Sequence, residues 1–317
     1  MKQISKKLSM LRRWARMLTR KSSVAVEQGL GKAYSLTEIK GYYNDMTGKV
    51  TPNTQVDEDG VPVNTIADGS RAYAWITIFQ YALGCYDLYL LQSDPAMRDN
   101  FLFLAQKILH AQDSRGGWDC RASIGSKRGG TSCMGQGQAC SILLRAHALT
   151  GEQAYVRAAE KAVAFMLLPT DDQGAAVYED GGLYLEKYPP ENGRHSSVLN
   201  GWAYALFGLY DYVLVTRDAG IRDKMQASMR TLTNTLPLYD AGFWSNYDIN
   251  GTIASPAYHQ AHIALLEALA ELSGMNVFAE YAQRFRAYRS HPLYTLRAVF
   301  QKLRQKLHED TDALLIR

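Results

Sequence analysis

The chain has 317 residues, with 35 Lys and Arg against 31 Asp and Glu, a formal net charge of +4 and 47% hydrophobic residues. These values fit a globular protein with a sizeable core and exclude a disordered or collagen-like chain. No segment approaches the roughly 20 consecutive apolar residues that a transmembrane helix needs. The cysteines, Cys85, Cys120, Cys133 and Cys140, lack CxxC spacing, which favours reduced thiols in a cytosolic setting and predicts no metal.

The first 35 residues form a basic segment. Apolar residues at helical spacing lie opposite lysines and arginines, which predicts a basic amphipathic helix around Leu8, Leu11, Trp14 and Leu18. Such a helix can lie on an anionic membrane or against an anionic polymer, and docking on its own domain is an equal alternative. The segment lacks the apolar core and cleavage site of a secretory signal, which predicts a protein that is not exported.

Residues 36–69 contain turn residues and alternating Val and Thr, which predict a short β-hairpin that covers the mouth of the following domain. The acidic run Asp57-Glu58-Asp59-Gly60 lacks a full set of calcium ligands. We therefore interpret this run as a solvated turn.

Residues 70–317 form the third part, in which predicted helices arrive in pairs: 72–92 with 95–112, 136–149 with 152–167, 197–216 with 219–235, and 257–273 with 276–290. Short joins with helix-stop and helix-start residues separate the two members of each pair. The pairs recur about every 60 residues, as stacked αα-hairpins do. The predicted fold is mainly α, an α/α toroid of about four helical hairpins, followed by a basic helix over 292–308.

Long connections join successive pairs at 113–133, 168–196 and 236–256, and each is rich in glycine and aromatic residues. In a ring of helical hairpins these connections all emerge at one end. Loops of this length inside a compact domain are usually functional. The sequence therefore predicts a site at this end of the ring.

Several strings follow one another in a recognisable order: MGQGQACSILLRAHALTG at 134–151, YLEKYPP at 184–190, SSVLNGWAYALFGLYDY at 196–212 and SPAYHQAHIALLEAL at 255–269. Together they resemble the C-terminal catalytic domain of the D-glucuronyl C5-epimerases, from about Tyr73 to about Ser290. The resemblance implies an isomerase that converts D-glucuronate to L-iduronate within heparosan-type chains, with no cofactor. It also implies a bacterial form that acts in the cytoplasm or at the inner membrane.

Inversion of C5 removes a proton next to a carboxylate and returns one from the opposite side. Two proton carriers on opposing faces are needed, with a partner for the carboxylate that accepts enolate charge. A tyrosine suits the first role if nearby positive charge lowers the pKa of its phenol.

The resemblance assigns roles to particular positions. It implies catalytic roles for Tyr188, Tyr247, Tyr258 and Glu186, with Tyr258 on one face of C5 and the others on the opposite face. It implies substrate contacts at Gln136, Gln138, Lys187, Arg194, Asn200, Tyr204, Asn250, His259, His262 and Trp118. Taken from the residues alone, the glycines of MGQGQA equally indicate close helix packing, Tyr204 a core or wall position, and Trp118 either a sugar platform or a buried lid.

Two positions depart from the family pattern. Lys187 follows Glu186 where the family has a second acid, and Asn250 stands where the family places an arginine. Either Lys187 replaces the second acid or Glu186 takes its place. Carboxylate binding would then pass to Lys187, Arg194, His195 or His259.

Three function classes stay open. The first is the polymer-level epimerase; the second is a polysaccharide lyase or hydrolase on the same toroid, because a lyase begins with the same proton abstraction; the third is a non-catalytic uronan-binding protein. The expected partner is an anionic polysaccharide, and no nucleic-acid-binding motif occurs. Apolar helix faces also allow a homodimer.

Overall fold

A computed structural model describes residues 28–65, 70–121, 130–188, 190 and 193–308. The basic helix predicted within residues 1–27 lies outside this part. The described chain is mainly helical, and none of its helices is both long and apolar enough to cross a membrane.

Helices occupy most of the described chain beyond residue 75. They are α1 (Trp75–Gln92), α2 (Pro95–His110), α3 (Cys133–Thr150), α4 (Gln153–Met166), α5 (Leu199–Thr216), α6 (Ala219–Thr235), α7 (Pro256–Ser273), α8 (Asn276–Ser290) and α9 (Pro292–His308). The predicted pairs are confirmed, with ends that differ from the predictions by no more than three residues.

Local signals explain the helix ends. Asp94 accepts a hydrogen bond from the backbone of Ala96 at the start of α2, and Ser255 accepts one from Tyr258 at the start of α7. At the C-terminal ends of α3 and α7, Gly151 and Gly274 adopt φ values of 75° and 69°, which a residue without a Cβ reaches at no steric cost.

The strands are short. Strand β1 (Asn64–Thr65), at the end of the region predicted as a hairpin, pairs antiparallel with β2 (Arg71–Ala72), which lies just beyond that region. A second antiparallel pair, β3 (Ala176–Glu179) and β4 (Gly182–Leu185), lies inside the connection that the sequence analysis treated as a loop. Asp180 and Gly181 join these two strands with φ values of 49° and 72°, as a two-residue hairpin turn of the Asp-Gly type requires.

The first helices of the pairs pack against one another in chain order, α1 on α3, α3 on α5 and α5 on α7. The second helix of each pair packs on its own partner. The predicted α/α arrangement is therefore confirmed, with first helices as an inner layer that run parallel and place their N-terminal ends together.

Glycines permit a close crossing of α3 and α5. A Cβ atom on Gly137 would lie 2.5 Å from the carbonyl oxygen of Tyr204 and 2.7 Å from Cα of Ala205. A Cβ atom on Gly208 would lie 2.5 Å from Cα of Gly137. The glycine at the centre of MGQGQA thus serves helix packing, as one of the two interpretations of this motif held.

Residues 28–50, the plug segment, lie across the C-terminal halves of the inner helices. Tyr43 donates a hydrogen bond to Asp211 at 2.6 Å, and Tyr34 donates one to Glu271. The fully buried Arg145 binds Asp211 at 2.6 Å and the carbonyl oxygen of Gly41 at 3.0 Å. The plug segment therefore contacts this end of the inner layer, opposite the end where the helices begin.

The plug segment also creates a pH-sensitive position at Asp87 of α1. Burial raises the pKa of this carboxyl to about 7, although it accepts a hydrogen bond from the backbone of Tyr42 at 2.8 Å. In the unfolded chain an aspartate titrates near ~3.9, so the folded protein binds the extra proton between these values and loses stability as pH rises through about 7.

We expect Asp87→Asn, which keeps an acceptor oxygen and removes the charge, to raise the free energy of unfolding at pH 8 by roughly 2 to 4 kcal/mol. Little change is expected near pH 4, where the wild-type carboxyl is already protonated in the folded state. Urea denaturation at both pH values measures this, with the exposed Asp99→Asn as the control. Equal pH dependence in wild type and Asp87→Asn would contradict the assignment.

Candidate active site

Backbone hydrogen bonds tie the three long connections together where the inner helices begin. Cys133 donates from its backbone N–H to the carbonyl of Glu186 at 2.9 Å, and Leu199 donates to the carbonyl of Tyr247 at 3.1 Å. Ile249 donates to the carbonyl of Ser196 at 3.1 Å. The predicted convergence of the connections at one end of the ring is confirmed.

Three tyrosines surround one lysine at this end, and we call them the tyrosine cage: Tyr188, Tyr247 and Tyr258. The Nζ atom of Lys187 lies 5.3 Å from the ring centroids of Tyr188 and Tyr247 and 5.6 Å from that of Tyr258. The rings of Tyr247 and Tyr258 are 4.9 Å apart. All three tyrosines implied as catalytic therefore meet around the residue that departs from the family pattern.

A chain of hydrogen bonds runs through the cage. The Nζ atom of Lys187 lies 2.8 Å from the hydroxyl of Tyr247, which lies 2.9 Å from the hydroxyl of Tyr188. Nζ also donates to the side-chain oxygen of Asn200 at 3.4 Å. Gly201 makes room for this arrangement, because a Cβ there would lie 2.6 Å from Cβ of Lys187.

Burial sets the protonation of these groups. It lowers the pKa of Lys187 to about 7 and raises the pKa values of Tyr188 and Tyr247 above the ordinary range of a phenol. The condition of a phenol pKa lowered by nearby positive charge is not met at Tyr188 and Tyr247, because desolvation by burial has the largest effect on both. The pKa of Lys187 is thereby brought near neutral pH.

The free energies of the two opposing effects favour the neutral form of the Lys187 amine. Contact of an ammonium with a desolvated aromatic ring contributes about 2 kcal/mol, whereas removing an unpaired ion from water costs several kcal/mol. Within the described part of the chain, no carboxylate forms a salt bridge with Lys187. The cage therefore holds a lysine that gives up its proton readily.

Glu186, implied as catalytic, makes its contacts elsewhere. Its carboxylate accepts hydrogen bonds from the backbone N–H groups of Ser196 and Ser197, each at 3.0 Å, and from the hydroxyl of Ser197 at 2.8 Å. Nδ1 of His195 lies 3.4 Å away, and this hydrogen-bonding partner raises the pKa of His195. These contacts fix the turn before α5, where Ser197 has a φ of 42°.

The two histidines of α7 belong to one buried network. Nε2 of His259 donates to the carbonyl of Phe285 at 2.9 Å, so its Nδ1 accepts from the backbone N–H and the hydroxyl of Ser245 at 3.1 and 2.8 Å. The same hydroxyl then accepts from Nδ1 of His262 at 2.9 Å. Nε2 of His262 is left as a buried acceptor with no hydrogen-bond partner among the described residues.

This network decides what the histidines can contribute. Burial lowers the pKa of His259 to about 3, and it also lowers the pKa of His262 well below its usual value. His259 stacks on Trp244 with ring centroids 3.7 Å apart, and both of its nitrogens are engaged. The structure therefore provides no cation at His259 for a substrate carboxylate.

The two glutamines of α3 are fully buried, and neither amide has a hydrogen-bond partner among the described residues. Such unsatisfied groups lower stability, which is tolerated more often at functional sites than elsewhere. Residues two apart on a helix are related by a rotation of about 200° around the helix axis, so Gln136 and Gln138 face different surroundings. Helical spacing puts Gln138 on the face of Arg145, and the substrate contacts implied for both glutamines stay predictions.

The other implied substrate contacts have different positions. Trp118 is buried, and its indole nitrogen donates to the carbonyl of Ile108 at 2.9 Å, which places it in the core. Tyr204 is buried and donates to Asn44 of the plug segment at 2.6 Å. Arg194 and Asn250 are exposed on the connections.

Lys302 of α9 was not predicted as a site residue, yet its Nζ lies 5.9 Å from the ring centroid of Tyr247. Gln305 holds α9 in place by accepting from the backbone of Ile253 at 3.0 Å and donating to the carbonyl of Gly251 at 3.1 Å. Lys302 had appeared only as one member of a basic helix, and no motif distinguished it. Among the described residues, no group of three or more His, Cys, Asp or Glu side chains is suited to a metal.

The model of the family described as D-glucuronyl C5-epimerase C-terminus matches residues 112–287, which contain the tyrosine cage, Lys187 and the α3 glutamines. The chain belongs to this family. It is 32% identical to the D-glucuronyl C5-epimerase of Caenorhabditis elegans over 214 residues, 59% of this chain and 34% of the nematode protein.

Two further proteins are similar over comparable stretches. An uncharacterised protein of Methanocaldococcus jannaschii is 25% identical over 163 residues, 50% of this chain and 52% of the archaeal protein. The chain thus spans about a third and about half of the lengths of these relatives. A solved structure described as UGL_D88N/dGlcA-Glc-Rha-Glc aligns over 71% of this chain and 60% of that chain, with 17% identity and a TM-score of 0.43.

Proposed function

We propose that this protein is a C5-epimerase that converts D-glucuronate to L-iduronate in an anionic polysaccharide of the heparosan type. The tyrosine cage carries this proposal, because it gathers three phenols and one amine at the end of the fold where the family-matched connections meet. Phenols and amines are proton carriers, and inversion of a carbon acid requires such groups on two sides of the carbon.

The tyrosines of the cage differ in exposure and in hydrogen bonding. Tyr258 has 39% of its surface exposed, so it can exchange a proton with solvent. Tyr188 and Tyr247 form a hydrogen-bonded pair that is less exposed. A uronate bound with C5 between Tyr258 and Tyr188 would lose its proton to one side and gain a proton from the other. The mechanism requires no cofactor, since both steps are proton transfers.

The substrate carboxylate needs a cation or a hydrogen-bond donor to accept enolate charge. The neutral His259 does not supply one, and Asn250 carries no charge. Lys302 lies beside the ring of Tyr247, and Asn200 lies beside Lys187. We assign the carboxylate to these two side chains, with the exposed Arg194 as a contact for a neighbouring sugar.

The proposal has two further parts: the substrate is a polymer, and the protein acts on the cytoplasmic side of a membrane. A net charge of +4 and the basic N-terminal residues favour an anionic chain as the partner. The same basic residues favour contact with an anionic membrane surface on the cytoplasmic side. Fractionation of the source cells, with detection of the native protein, tests the second point.

The test of the function is incubation of the purified protein with heparosan and N-sulfated heparosan in deuterated water. NMR would follow deuterium at C5 and new iduronate signals, while absorbance of unsaturated uronate would be recorded in parallel. Deuterium with iduronate supports the epimerase. Unsaturated ends would instead identify a lyase. Binding without exchange on either polymer would identify a non-catalytic uronan-binding protein.

A further inference from the structure

The tyrosine cage contains phenols that are hard to ionise, which leaves open what accepts the proton of C5. Tyr188 and Tyr247 are largely enclosed, and burial opposes the formation of a tyrosinate at either of them. Glu186 does not offer its carboxylate to the cage, because Ser196 and Ser197 bind both of its oxygens. A base other than a phenolate or this carboxylate is therefore needed.

We propose that Lys187, as a neutral amine, is the terminal base of a proton relay that runs from Tyr188 through Tyr247 to Nζ. This inference rests on the proposed epimerase function and assigns the base of that reaction. The hydrogen-bond distances of 2.9 Å between the two hydroxyls and 2.8 Å from the Tyr247 hydroxyl to Nζ make the relay continuous.

The relay transfers one proton along its length and leaves neither Tyr188 nor Tyr247 as a tyrosinate. The C5–H bond breaks, and its proton goes to the hydroxyl oxygen of Tyr188. The proton of Tyr188 passes to Tyr247, and the proton of Tyr247 passes to Nζ. Lys187 ends as an ammonium, both tyrosines stay neutral, and the electron pair of the C–H bond enters the enolate of the substrate carboxylate. Tyr258 then protonates C5 from the opposite face, and solvent returns Tyr258 and Lys187 to their starting states.

The surroundings of Nζ agree with an amine that changes protonation during turnover. The titratable groups that face it are Cys133 from α3, Tyr258 and His262 from α7, and Tyr247 from the connection before α7, with Asp248 and Lys302 beyond them. Burial keeps the Cys133 thiol and the His262 ring uncharged. No neighbouring negative charge among these groups contacts Nζ directly to hold it as an ammonium.

The kinetic test compares C5 deuterium exchange in wild type, Lys187→Met and Lys187→Glu across pH 5 to 9. Wild-type exchange should rise with pH with a midpoint near 7. In Lys187→Met the exchange rate should fall by about 10²- to 10⁴-fold, and it should no longer rise with pH around 7. Lys187→Glu restores a titratable base at this position and should recover part of the rate together with a rise of the rate with pH. The exposed Lys224→Met is the control, expected to match wild type.

A second measurement does not depend on turnover. In protein labelled with ¹⁵N-lysine, the Nζ signal that disappears in Lys187→Met should titrate near pH 7, with the rest of the spectrum unchanged. A midpoint above 9 would overturn the inference, as would full exchange activity in Lys187→Met, and both results would leave the epimerase function intact. Failure of wild type to exchange C5 on any uronan would instead remove the function and the inference with it.

Discussion

Replacement of Tyr258 by phenylalanine is expected to reduce C5 deuterium exchange by about 10²- to 10⁴-fold, the usual contribution of a positioned general acid or base. In the proposed mechanism Tyr258 serves one face of C5, and the hydrogen-bonded pair of Tyr188 and Tyr247 serves the other. Loss of its hydroxyl leaves Tyr188 and Tyr247, which serve the other face of C5 in the proposed mechanism. Polymer binding should persist, because the ring remains to contact the sugar.

The measurement is the exchange rate by NMR, with polymer affinity determined separately by calorimetry. Tyr210→Phe provides the matched control, since its hydroxyl donates to the carbonyl of Leu36 at the plug end of the fold. This control should retain wild-type exchange. Exchange in Tyr258→Phe within tenfold of wild type would place the second proton carrier elsewhere in the site.

Replacement of Gly137 by valine is expected to lower the free energy of unfolding by at least about 3 kcal/mol, because extra side-chain atoms would meet backbone rather than a movable side chain. Its Cβ would lie 2.5 Å from the carbonyl oxygen of Tyr204. A domain is stable by only about 5 to 15 kcal/mol, so poor soluble yield is also expected. Urea denaturation of wild type and variant measures the change.

Gly220→Ala is the control for this substitution. Gly220 lies in α6, and a Cβ there would have Asp218 as its nearest neighbour, at 3.4 Å. Alanine at this position should leave stability unchanged or raise it by up to about 1 kcal/mol, because it restricts the unfolded chain. Similar losses in both variants would show that the crossing of α3 and α5 is not the sensitive point.

The helical framework followed from the sequence because its signals are local. Short joins such as Ser93-Asp94-Pro95 and Ser273-Gly274 act through capping and backbone conformation within a few residues. The strand pair β3–β4 was missed although Asp180-Gly181 is a strong local turn signal, since the connection was judged by its overall composition.

The candidate site was predictable as a set of positions and less so as contacts. The tyrosines and Lys187 meet as the resemblance implied, yet the adjacent Glu186 turns to Ser196 and Ser197. Successive residues in extended chain point to opposite sides, and the sequence did not show which of the two would enter the cage. Lys302 reaches the site from outside the matched region, where no motif indicated a role.

The plug segment has a consequence for the order in which the molecule assembles. Tyr43 and its partner Asp211 are 168 positions apart, and Tyr34 and Glu271 are 237 positions apart. During synthesis the plug segment leaves the ribosome before α5 and α7, and these bonds can form only after both helices have been made. Contacts of such long sequence separation slow folding. A segment that is translated before its partners is therefore among the last parts of the fold to be seated, and until then Arg145 and Asp211 lack their hydrogen bonds with it.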